Sequence, residues 1–154
     1  MSKVTLTLSS ASSSPITFEL LTSLVPKTCQ HFTTLLEKQI YNTAPITRLV
    51  KNGWLQGDVT DAGSVTDIVS IPDESFAVPF TSKYILGFTN QGPHSSKTGF
   101  FVTLAENAEW LSGRYVGFGR CVSGSEVLDG INEMEVGEDE RVDGVTVVSW
   151  VVSE

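Results

Sequence analysis

Ile46-Thr47-Arg48-Leu49-Val50, then Lys51-Asn52-Gly53, then Trp54-Leu55-Gln56-Gly57-Asp58-Val59 shows the unit from which the chain is built. Two short apolar runs flank an Asn-Gly turn signal, the pattern of a strand, a tight turn and a second strand. Arg48 precedes Gln56 by eight positions across that turn, so both side chains can face the same side of neighbouring strands.

The same unit recurs on either side. Upstream, Val4, Leu6 and Leu8 alternate with polar neighbours, a small-residue link covers Ser9 to Ser14, and Ile16, Phe18 and Leu20 resume the alternation. That period of two predicts a hairpin of half-buried strands. Pro26 then suits a first helical turn, where its missing N–H costs nothing, and Cys29, Phe32, Leu35 and Leu36 fall on one face of the helix it opens. Downstream, residues 61 to 82 have weak periodicity and carry Pro72 and Pro79, which predicts mostly loop. Tyr84 to Thr89, Phe100 to Leu104 and Val116 to Cys121 are apolar runs bounded by Gly or Pro and read as strands. Val127, Leu128, Ile131 and Met134 mark a second helix, with Ser125 as its expected N-cap, although Gly130 inside it costs about 1 kcal/mol relative to alanine. Val145 to Val152 closes the chain as a strand. Many short strands with two helices point to a mainly β fold, a closed barrel capped at its ends, with 1–154 as a single domain.

Composition narrows the function. The chain has 154 residues, 40% of them hydrophobic and 18% charged, with a net charge of −8. That balance is globular, and its sign argues against nucleic acid and anionic membrane surfaces as partners. No apolar run is long enough to span a bilayer, the first residues lack a secretory pattern, and no Asn-x-Ser/Thr sequon occurs, so the expected setting is cytoplasmic. Cys29 and Cys121 make no disulfide framework and are expected to be buried small hydrophobes. The acidic stretch Glu133 to Glu140 reads as a solvated loop, since nothing in it spaces like a calcium-binding loop. His31 and His94 have no Cys or His at metal-ligand spacing, and His31 is expected in a surface or capping role on the first helix. Gly113, Gly117 and Gly119 carry no phosphate-loop ending, and no Gly-x-Ser-x-Gly elbow is present. Hydrolysis, phosphoryl transfer and redox cofactor chemistry therefore find no signature, and neither a metal nor a cofactor is expected.

What remains is Arg48 and Gln56 together with Phe101, Trp110, Leu111 and Tyr115 in the later strand-and-loop region. Taken singly, an arginine belongs on a surface and a strand phenylalanine in a core, so the residues alone leave open whether these form one groove.

A resemblance adds to that reading. Val25-Pro26-Lys27-Thr28 with Phe32, Thr47-Arg48-Leu49-Val50 with Gln56-Gly57, Asn90-Gln91-Gly92-Pro93, Phe100-Phe101-Val102-Thr103, and Trp110-Leu111-Ser112-Gly113 with Val116-Gly117-Phe118-Gly119 occur in the order found in cyclophilins. The chain thus resembles the prolyl isomerases with an eight-stranded closed β-barrel capped by two α-helices. The resemblance implies Arg48 as the catalytic arginine, Gln56 and Asn90 as contacts to the substrate backbone, and Phe101 and Leu111 as lining of a proline pocket. Trp110 would stand beside that pocket, at the position that supports cyclosporin binding in sensitive members. Trp54 and Tyr115 would complete the substrate-binding wall. The implied partners are proline-containing peptides or protein segments, and nothing demands more than a monomer.

Several groove positions depart from the family's habit: Thr47 and Tyr115 stand where histidine is usual, Gly53-Trp54 replaces an aromatic–methionine pair, Gly99 replaces a substrate-contacting glutamine, and Thr89 replaces an alanine. The run Lys51 to Gly57 is similar to a divergent subgroup regarded as inactive. Three readings follow: a weak or selective isomerase of Xaa-Pro bonds, a catalytically inactive module that binds proline-containing segments, and a barrel whose groove is vestigial.

Overall fold

Alternating burial sets the first hairpin in the computed structural model, which describes residues 2–9, 14–60, 67–140, 142 and 144–153. Strand β1 (Lys3–Leu8) and strand β2 (Ile16–Leu20) pair antiparallel, with Val4 opposite Phe18 and Leu6 opposite Ile16. Those four side chains are fully buried, so one face of the hairpin is committed to the core and a one-residue slip would expose all of them. The link at 10–13 lies outside the described residues.

Helix α1 (Pro26–Glu37) begins on its proline and buries Thr28, Cys29, Phe32, Leu35 and Leu36. Phe32 is its anchor, with ring centroids between 4.9 and 6.1 Å from those of Tyr41, Phe88, Phe118 and Trp150. Val25, at the N-cap, offers no capping side chain. The cap arrives from far along the chain: Glu74 accepts the Lys27 N–H at 3.0 Å, the Thr28 N–H at 2.7 Å and the Thr28 hydroxyl at 2.8 Å. Burial pushes the Glu74 carboxyl up, but these donors, with the nearby Lys27 charge, outweigh it and hold the group below the usual carboxylate range.

The remaining strands are β3 (Ile46–Val50), β4 (Trp54–Gly57), β5 (Ile85–Phe88), β6 (Phe100–Thr103), β7 (Gly117–Ser123) and β8 (Val147–Ser153), with helix α2 (Ser125–Asn132) between the last two. With β1 and β2 these six strands form one eight-stranded sheet in the order β3-β4-β6-β5-β7-β2-β1-β8, and every pairing is antiparallel. The sheet curls until its outer strands meet. A bridge joins Pro45 to Thr146, and backbone bonds run from Thr43 N to Val147 O, Val147 N to Ala44 O and Ile46 N to Val145 O, at 2.7–3.0 Å. Among the described residues, no helix is long and apolar enough to cross a membrane.

Local details correct several expectations. Tyr84, Thr89, Leu104 and Val59 flank their strands; Tyr84 takes φ +69°, which ends the extended backbone. Ser125 is the first residue of α2 rather than its cap. The N-cap is Gly124 at φ +85°, where any Cβ would collide with the Pro15 carbonyl and lie 2.8 Å from the Ile16 Cα. Met134 lies beyond that helix and is half-buried. Cys29 is buried, and burial pushes its thiol up to about 12, whereas Cys121 is only half-buried because β7 emerges toward the surface there. His31 is tied into the fold, with Nε2 2.7 Å from the Lys97 carbonyl oxygen and its ring edge on Phe88. Of the long loop before β5, 61–66 lie outside the described residues; the rest has no strand beyond a single bridge from Ile71 to Ser96.

Candidate functional site

One row of residues crosses four strands. Arg48 on β3 lies opposite Gln56 on β4, Gln56 opposite Phe101 on β6, and Phe101 opposite Gly87 on β5. Directly opposed residues in adjacent strands share a face, so guanidinium, amide and ring are delivered to one side of the sheet. Phe100, the preceding residue, packs on the other side with Tyr41 and Trp150. Gly87 ends the row because the Phe101 ring occupies its side-chain space: a Cβ there would come within 2.7 Å of it.

The segment after β6 supplies the opposite wall. A single 3-10 turn, Glu109–Leu111, lays Leu111 inward at 5% exposure and leaves Trp110 55% exposed at the rim. Arg48, Trp54, Gln56, Asn90, Phe101, Trp110, Leu111 and Tyr115, with Thr89, line one cavity of about 210 Å³. A cavity of roughly 150 Å³ holds a benzene ring, so there is room here for a pyrrolidine. Phe101, 3% exposed, is wedged between Tyr115 and Phe80 at centroid distances of 5.5 and 5.6 Å and forms the floor. Two wider hollows adjoin: one of about 490 Å³ shares Asn90 and Tyr115, and one of about 590 Å³ shares Gln56, Thr89 and Asn90. Together they make a groove long enough for an extended chain with one ring-sized depression.

Trp54 leaves that depression open. Its indole lies 5.0 Å from the Arg48 guanidinium carbon and 5.5 Å from the Trp110 ring, while its Nε1–H donates to the Gln56 side-chain oxygen at 2.9 Å. Asn90 is committed to its own loop: its amide nitrogen donates to Arg114 O at 2.8 Å, and its oxygen accepts the Gly92 N–H at 3.2 Å. The Gly99 and Thr89 departures are coupled, since a Cβ at position 99 would strike the Thr89 hydroxyl and lie 3.1 Å from the Asp58 carboxylate.

Arg48 carries a partner from the acidic stretch that was expected to be a solvated loop. The turn Glu138–Glu140 folds back against β3, and Glu140 Oε1 lies 2.5 Å from both Nε and Nη2 of Arg48. The two residues are 92 positions apart, and nothing in the acidic run distinguishes Glu140 from its neighbours. Glu140 does not line the cavity; of the residues that do, Thr89 alone stands outside the expected set, and its place follows from its position just beyond β5. Among the described residues, no group of three or more His, Cys, Asp or Glu side chains is placed to hold a metal ion.

Comparison with known proteins agrees with this architecture. The family model described as cyclophilin type peptidyl-prolyl cis-trans isomerase/CLD matches residues 3–152. The chain is 34% identical over 139 residues to the probable inactive peptidyl-prolyl cis-trans isomerase-like 6 of Bos taurus, covering 80% of this chain and 45% of that protein. It is 36% identical over 138 residues to peptidyl-prolyl cis-trans isomerase-like 1 of Aspergillus oryzae, covering 86% and 85%. It thus spans less than half the length of the isomerase-like 6 protein and most of the length of the isomerase-like 1 protein. A crystal structure of a cyclophilin type peptidyl-prolyl cis-trans isomerase from Cryptosporidium parvum superposes with a TM-score of 0.86 at 21% identity, covering 99% of this chain and 97% of that one. The same protein has also been solved in the presence of the dipeptide Ala-Pro, with a TM-score of 0.86.

Proposed function

This chain belongs to the cyclophilin-type peptidyl-prolyl cis-trans isomerase family, and from that membership we propose that it accelerates rotation about Xaa-Pro bonds in peptides and protein segments, weakly or selectively. The observation that carries the reading is a guanidinium held at the edge of a ring-sized cavity with an apolar floor of Phe101 and Leu111.

Rotation about an Xaa-Pro bond is opposed by roughly 18–20 kcal/mol because it breaks amide resonance. In the twisted state the proline nitrogen becomes pyramidal and gains a lone pair that neither planar isomer has. A hydrogen bond from Arg48 to that lone pair is stronger in the transition state than in either ground state, which is the condition for lowering a barrier. Phe101 and Leu111 hold the pyrrolidine and exclude water around the rotating bond. Glu140 takes the Nε and Nη2 edge of the guanidinium, which leaves the Nη1 donors for the substrate. Neither proton transfer nor a covalent intermediate enters.

The second reading, a module that binds proline-containing segments without isomerising them, draws on the same rim. Gln56 and Asn90 have their side chains engaged within the protein, and Arg48 is already paired. Two-dimensional NMR exchange on short Ala-Pro peptides separates the two. Acceleration of cis–trans exchange that saturates with peptide supports the isomerase; saturable binding, seen in Trp54 and Trp110 fluorescence, with exchange at the free-peptide rate supports the module. Absence of binding at the groove leaves neither standing.

Cyclosporin is a finer part of the proposal. The exposed Trp110 indole favours it, while Trp54 and Tyr115 narrow the approach; a calorimetric titration with the drug decides it. The two free cysteines fit a cytoplasmic setting, which localisation of the tagged chain would check, and a monomer is the simplest state, which sedimentation would check.

A further inference from the structure

Glu140 has a geometry that a solvated acidic loop does not require. Its backbone sits at φ +60°, a region that residues other than glycine hold only where their surroundings enforce it. Its carboxylate reaches across to β3 and takes both Nε and Nη2 of Arg48 on a single oxygen at 2.5 Å. The face of the same guanidinium rests 5.0 Å from the Trp54 ring centroid, and that indole is fixed in turn by its hydrogen bond to Gln56. A chain of four side chains, Glu140–Arg48–Trp54–Gln56, thus fixes the plane and the rotation of the guanidinium. Glu140 is not among the residues that line the 210 Å³ cavity. It holds Arg48 from outside that lining and leaves the space for the ring free.

We propose that Glu140 is the positioning residue of Arg48: it presents the guanidinium to the rotating Xaa-Pro nitrogen without touching the substrate itself. The inference rests on the isomerase reading above. An arginine side chain has several rotatable bonds, and a donor that must be found among many rotamers contributes less to a transition state than one already in place. A carboxylate on one edge of the guanidinium and a ring against its face remove that search.

The test combines Glu140→Gln, which keeps a hydrogen-bond acceptor at the same reach, with Glu140→Ala, which removes it. Nitrogen-15 NMR reads the Arg48 Nε–H, assigned by its loss in Arg48→Lys. Exchange NMR on an Ala-Pro peptide reads catalysis, and fluorescence titration reads affinity. Slow water exchange at Nε–H is expected in the parent protein and in Glu140→Gln and is expected to be lost in Glu140→Ala. Catalysed exchange falls about five- to tenfold in Glu140→Ala, the rate equivalent of one hydrogen bond, with peptide affinity within about twofold; Glu140→Gln restores it to within about twofold. A carboxylate that merely competes for the arginine gives the opposite result, with turnover equal to or above the parent in both variants, and that overturns the proposal. If the parent protein shows no catalysed exchange, the isomerase reading fails by itself and the Nε–H signal alone decides on positioning: an Nε–H indifferent to Glu140→Ala refutes it, and one that loses its protection upholds it.

Discussion

The floor of the cavity and its charged rim are held by different physics. Phe101 and Leu111 are 3% and 5% exposed, and Phe101 stands on a central strand between two other rings, with Gly87 giving it room. Arg48 and Glu140 have side chains 43% and 39% exposed, and they meet where an edge strand receives a short turn. Dense apolar contacts make the floor inseparable from the fold, whereas a half-exposed ion pair contributes about 0–1 kcal/mol to stability. A chain of this architecture can therefore keep its pocket while its rim, and with it any rate acceleration, changes freely.

The largest effect is expected at the floor. Phe101→Ala should cost about 3–5 kcal/mol in urea denaturation and abolish peptide binding. A loss below about 1 kcal/mol would mean that the floor is not part of the core, and the contrast would fail.

The two long-range carboxylates sharpen the comparison next. Glu74 takes two backbone N–H groups and a hydroxyl at the start of α1, a structural duty, and its replacement by alanine should cost about 1 kcal/mol. Because its folded-state carboxyl is held below the ordinary value, its contribution is complete above the usual carboxylate range and is lost as pH falls through the folded value. Glu74→Ala should therefore flatten the acid limb of stability against pH. Glu140→Ala should change stability by no more than about 0.5 kcal/mol. If denaturation ranked the two in reverse, the division between structural and functional carboxylates would be wrong.

A smaller effect is expected at the Thr89–Gly99 pair. Gly99→Gln alone should give little, because its Cβ meets the Thr89 hydroxyl. Combined with Thr89→Ala, it restores a side-chain donor and acceptor beside the groove and should raise catalysed exchange by up to about tenfold. Equal behaviour of the single and double variants would show the two positions to be independent.

Legibility in the sequence followed a different line, between what a local pattern or the order of motifs encodes and what a distant loop brings in. The hairpin of β1 and β2 could be read because each strand buries one face, which writes period-two alternation directly into the residues. The Asn-Gly turn announced β3 and β4. The order of motifs gathered Arg48, Trp54, Gln56, Asn90, Phe101, Trp110, Leu111 and Tyr115 in advance of any coordinates, and they line one cavity. The two carboxylates could not be read. Glu74 and Glu140 act on partners 46 and 92 positions away, through loops whose course no local pattern encodes. Ser125 looked like the better cap because the positive φ that selects Gly124 depends on how closely Pro15 approaches. Cys121 looked buried because residue type says nothing about where a long strand leaves the core.

Exchange NMR on a saturated complex of Arg48→Ala with an Ala-Pro peptide puts the most direct question to the molecule. Binding should persist within a few-fold of the parent protein, since Phe101 and Leu111 remain, while cis–trans exchange in the complex drops by about a hundredfold. Exchange that continues at the parent rate without that guanidinium would mean that Arg48 is not what lowers the barrier.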